Sequence, residues 1–220
     1  EKGDIHYTWG GIGSKGSHPI ELGNTPEEIK KKCGAMGEEY ILLGDTAFRQ
    51  KYPNYPFVNW KEGLRDFEDM LSGPNIRERV RKDIESNLDK EEYREIRDVA
   101  FDESLVGVGK AGQYERALTI AALRGNKVAK NWIVKIGNEV GLALAAFAEA
   151  YRNRPFVQNL VLVSGVNENL GKGAYEVKDV DLYMRAVRDS MYNELTTYFH
   201  LESDIARRLA EGVVRSNLTY

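Results

Sequence analysis

The fold turns on residues Tyr114 to Gly165, YERALTIAALRGNKVAKNWIVKIGNEVGLALAAFAEAYRNRPFVQNLVLVSG. Trp132, Ile133, Ile136, Val140, Leu144 and Phe147 recur at three- and four-residue steps, so on a helix they share one face. Gly137, Gly141, Ala145 and Ala148 lie beside them as a ridge of small residues that admits a neighbouring backbone at close range. Pro155 ends the helix, because proline has no backbone N–H and disfavours helix in the residue before it. Leu160-Val161-Leu162-Val163 is then an apolar run too short for a helix of its own, closed by Ser164-Gly165. Such runs are the buried strands of parallel sheets covered on both faces. The stretch therefore predicts an α/β domain, with a helix over 126–153 and a strand at about 159–164. Ligands of such sheets sit at the carboxyl ends of strands, which points to Ser164–Asn167.

The rest of the composition narrows the class. A chain of 220 residues is one large domain or two small ones, enough for a real core. A formal charge of −3 gives no concentrated basic surface, so nucleic acid is not an expected partner. Mean hydropathy is −0.50, and no unbroken apolar stretch approaches the ~20 residues of a membrane span. The opening Glu1-Lys2-Gly3-Asp4 does not read as a signal peptide. The lone Cys33 permits neither an internal disulfide nor a multi-cysteine zinc site, and His6, His18 and His200 lack a ligand spacing. These features predict a cytoplasmic protein.

Near the amino terminus, Ile5–Trp9 suits a short strand. It leads into Gly10-Gly11-Ile12-Gly13-Ser14-Lys15-Gly16. Glycine-rich loops cradle phosphate when they open a helix, but this one runs into an extended His18–Leu22. Two readings stay open: a hairpin connection, or a loop whose backbone closes on a polar ligand. Thr25-Pro26-Glu27-Glu28 opens a helix with a capping box, and Lys30, Lys31 and Lys32 fall in its last turn, where the dipole favours cations. Helices are expected over Glu38–Gln50 and Trp60–Leu71. The highly charged segment 76–99 reads as helix with a thin stripe of Val80, Ile84, Leu88, Tyr93 and Ile96, mostly solvated and without chemistry. Leu105–Gly112 lacks the Gly-Lys-Ser/Thr ending of a phosphate loop and reads as a linker. Arg124-Gly125-Asn126 breaks two helices, and further helices are expected at 181–199 and 203–212, with Val213-Val214 opening a last strand. There is no Gly-x-Ser-x-Gly elbow.

Several of these segments, in order, resemble the ROK family of sugar kinases and sugar-responsive repressors, within the hexokinase–actin superfamily. Ala122-Leu-Arg-Gly125-Asn126-Lys-Val-Ala129 resembles that family's Ala-x-x-Gly-Asp-x-x-Ala junction, and Ile136-Gly-Asn-Glu-Val-Gly141-Leu-Ala its long Leu-Gly-x-x-Leu-Ala helix. Leu160-Val-Leu-Val-Ser164-Gly165-Val166 resembles its Ile-Val-Leu-Gly-Gly-Gly-Val adenosine motif. Glu21-Leu22-Gly23-Asn24 is similar to its Glu-Ile-Gly-His, whose first and last residues bind sugar hydroxyls. Cys33-Gly34-Ala-Met-Gly37 echoes its cysteine-rich stretch with one cysteine in place of several, and Asn24 stands where a zinc-binding histidine would, so no zinc is expected.

The resemblance implies a ribonuclease H-like, actin-like ATPase lobe: residues 1–220 as a single carboxyl-terminal lobe, with 50–112 as a helical insertion. It implies that Glu21, Asn24, Gly11 and Gly13 contact sugar, and that Ser164, Gly165 and Asn167 face the nucleotide. ATP and Mg would serve the intact protein, with the catalytic base supplied from outside this chain. No residue of this chain is assigned a catalytic role, and the chain alone is expected to be inactive. A homodimer is the expected assembly. Three functions are open: a lobe of an ATP-dependent sugar kinase, a sugar-binding regulator without turnover, or a ligand-free scaffold or dimer module.

Overall fold

The structure, a computed structural model, describes Lys51 and residues 73–150, 160–162 and 181–215. The chain divides into two compact units, Glu1–Ser72 and Gly73–Tyr220; of the first, helical Lys51 alone is described, and the elements below belong to the second.

Helix α1 (Gly73–Glu85) carries Pro74 in its first turn, where a missing N–H costs no helical bond, and buries Ile76, Val80 and Ile84, spaced by four on one face. The Asn87 amide donates back to the Asp83 carbonyl as the chain turns into α2 (Glu91–Phe101). Glu91 and Glu92 stand in the first turn of α2, where the dipole favours anions. The short α3 (Glu103–Val106) is capped by the Asp102 carboxylate, which accepts from the Ser104 N–H at 2.9 Å. The linker then turns through Gly107, Gly109 and Gly112, all at positive φ, a conformation that side chains disfavour. The Gly112 N–H closes this loop on the Ala100 carbonyl.

Helix α4 (Tyr114–Leu123) ends at Arg124, Gly125 turns the chain at φ +97°, and α5 (Lys127–Ala150) begins two residues later. Strand β1 (Leu160–Leu162) comes next, then α6 (Leu182–Thr197), whose Asp181 cap accepts from the Met184 N–H at 3.0 Å. After α6 the Phe199 and Leu201 N–H groups reach back to Glu194 and Leu195, with His200 at φ 54°. Helix α7 (Ser203–Glu211) leads to β2 (Val213–Arg215). The two strands pair in parallel, with Leu160 opposite Val213 and Leu162 opposite Arg215.

The core is helical. Trp132, Ile133, Ile136, Val140 and Leu144, the face foreseen on α5, are all buried. Helix α6 meets α5 with Tyr183, Ala186, Val187, Met191 and Leu195. The small ridge sets how near it comes. A Cβ on Gly137 would lie 2.8 Å from the Tyr183 carbonyl oxygen, and one on Gly141 2.5 Å from that of Val187.

The expected α/β, ribonuclease H-like lobe is therefore corrected. Helix dominates the described residues, and their sheet consists of two strands of three residues each. The strand expected at 159–164 lies at 160–162, but no broad sheet organises the described core. The physical reason lies on α5. Its small ridge admits another helix at backbone contact, so among the described residues it is helix that packs along it. The charged segment 76–99 is helical with most residues exposed or half-buried, as its charge and thin apolar stripe lead one to expect. It forms two helices, and Val80, Ile84 and Ile96 are fully buried in the same core.

Candidate functional site

The residues assigned to sugar (Glu21, Asn24, Gly11, Gly13) and to nucleotide (Ser164, Gly165, Asn167) all lie outside the described residues, as does Cys33. The polar features that the described side chains build belong to the helical unit.

The first is the α4–α5 junction. Asn126 is only 5 % exposed and uses its whole amide. Its Oδ1 accepts from the Ala129 N–H at 3.0 Å, capping α5. Its Nδ2 donates to the Glu92 carbonyl at 2.8 Å and to Glu95 Oε2 at 2.7 Å, fastening α2 to the start of α5. The segment that resembles a kinase-family junction is thus a helix cap and cross-tie in this chain.

The second feature is the set of ties from α1. Arg77 donates from Nη2 to Glu115 Oε1 at 2.8 Å and from Nε to Oε2 at 3.3 Å. The side chain of Glu115 is 4 % exposed, and its hydrogen bond holds the Arg77 guanidinium above its ordinary pKa, against the opposing effect of burial. Arg79 makes a two-pronged pair with Glu139 of α5, its Nη1 donating at 2.9 Å. One turn away, the Trp132 indole N–H donates to Asp83 Oδ2 at 2.7 Å. The Lys135 ammonium stands 4.5 Å from the centre of that indole ring, and the Arg79 guanidinium 6.0 Å from it. Sequence reading missed these pairs, because partners 38, 49 and 60 residues apart leave no periodic signal.

The third feature is a groove of about 460 Å³ lined by Glu91, Arg94, Glu95, Asp98, Asp102 and Arg124, with Val99 and Leu105 as its apolar members. Three of its carboxylates already hold neighbours: Glu95 binds Asn126, Asp98 pairs with Arg97, and Asp102 caps Ser104. The Ser104 hydroxyl and N–H hold the Asp102 carboxyl below the usual carboxylate range. On the strand-bearing side, the Arg188 guanidinium donates to the Val213 carbonyl at 2.8 Å and anchors β2 to α6.

Tyr114 differs from all of these. It is 1 % exposed, its ring meets Phe101 edge-on at 6.4 Å, and among the described residues its hydroxyl has no hydrogen-bond partner. Burial pushes its pKa up from the ordinary 10.0.

Among the described residues no helix is long and apolar enough to cross a membrane. No protein-family model, curated protein or solved structure matches the chain.

Proposed function

We propose that the unit Gly73–Tyr220 serves as a scaffold or association module, the ligand-free function among those the sequence leaves open. One observation carries this reading. Among the described residues, several part-buried polar ties are joints between helices: Arg77 to Glu115, Arg79 to Glu139, Asp83 to Trp132, and Asn126 to Glu92 and Glu95. Side chains committed to each other in this way hold a shape, and a shape is what an association module presents. Phe101, Leu105 and Val108 add apolar surface, with Val108 90 % exposed. A homodimer in the cytoplasm belongs to the same proposal. Sedimentation equilibrium of the full chain over a hundredfold concentration range tests it, with a concentration-dependent rise to twice the chain mass expected. A strict monomer that binds MgATP in calorimetry would overturn it.

A second reading is sugar recognition in a longer protein, with or without phosphoryl transfer from ATP. The resemblance of Leu160–Val166 to an adenosine motif supports it, with β1 ending at Leu162 just ahead of Ser164, Gly165 and Asn167 in the chain. In that reading Glu21, Asn24, Gly11 and Gly13 hold the sugar, and Mg accompanies ATP. Removing a carboxylate that accepts from a sugar hydroxyl costs roughly 1.5–3 kcal/mol, about ten- to a hundredfold in affinity. Calorimetry of the protein and its Glu21→Gln variant against hexoses and N-acetyl sugars decides it, and equal binding by both forms removes Glu21 from the site.

A further inference from the structure

We draw no further inference here: the strongest candidate, the groove of about 460 Å³ lined by α2, Leu105 and Arg124, is an acidic cluster in which Glu95, Asp98 and Asp102 already bond neighbours within the unit, and nothing in the structure shows what covers it.

Discussion

Replacing Gly141 by alanine tests the packing that decided the architecture. A Cβ there would meet the Val187 carbonyl oxygen at 2.5 Å, the Ser190 Cβ at 2.7 Å and the Met191 nitrogen at 2.9 Å. Two of the three obstacles are backbone atoms of α6, so no rotamer change relieves them and the helices must move apart. Overpacking of this kind costs roughly 1–3 kcal/mol, and rigid backbone neighbours put Gly141 at the upper end. Alanine returns about 1 kcal/mol through its higher helix propensity. The expected net loss is therefore about 2 kcal/mol. Urea unfolding followed by circular dichroism reads it as a lower midpoint at unchanged slope. Asn138→Ala, at an exposed position of the same helix, supplies the propensity gain without the clash and should raise the midpoint slightly. If Gly141→Ala gains stability as Asn138→Ala does, α6 does not lie against this ridge and the helix-on-helix core is wrong.

Tyr114→Phe removes a buried hydroxyl that has no partner among the described residues, while keeping the ring against Phe101, so it should stabilise by about 1–2 kcal/mol, since stranding a hydroxyl costs about 1–3. Because burial raises the Tyr114 pKa, its neutral form favours the fold fully below pH 10.0, and that contribution is lost as pH rises through the folded-state value. The variant should therefore lose less stability than the parent in alkaline unfolding, and a loss above about 1 kcal/mol at neutral pH would show that the hydroxyl is satisfied. Asn126→Ala should cost about 2–3 kcal/mol, combining a lost cap with unpaired groups on α2, and should lower the thermal midpoint by several degrees. Asn126→Asp should keep the cap yet still destabilise, and should recover in part as the pH is lowered. A neutral result for Asn126→Asp at pH 7 would refute the cross-tie.

What could be read in the sequence is what depends on near neighbours along the chain. The buried face of α5, the ridge beside it, the break at Gly125-Asn126, the Asp181 helix and the two short strands all come from periodicity, turn residues or runs of one character. The extent of the sheet was not legible, because Leu160–Val163 has the same composition whether its strand lies inside a wide parallel sheet or in a ladder of two. Segment 76–99 shows the same divide between near and distant partners. Its helical stripe was legible, and Val80, Ile84 and Ile96 are buried, but the pairs that Arg77 and Arg79 make with Glu115 of α4 and Glu139 of α5 were not. The candidate sugar and nucleotide residues rest on local motifs alone, and they lie outside the described residues.

The same contrast explains the asparagine at 126. The motif that this junction resembles has an aspartate at that place, and a carboxylate would cap α5 equally well by accepting from the Ala129 N–H. It could not donate to the Glu92 carbonyl, and its charge would face Glu95, already within hydrogen-bond distance of this side chain. An amide supplies one acceptor and two donors, which is the set of partners present. An asparagine is thus the residue these partners require where α2 packs on the start of α5. A short match to a kinase motif and the demands of a helical core meet at one residue here, and the hydrogen bonds serve the core.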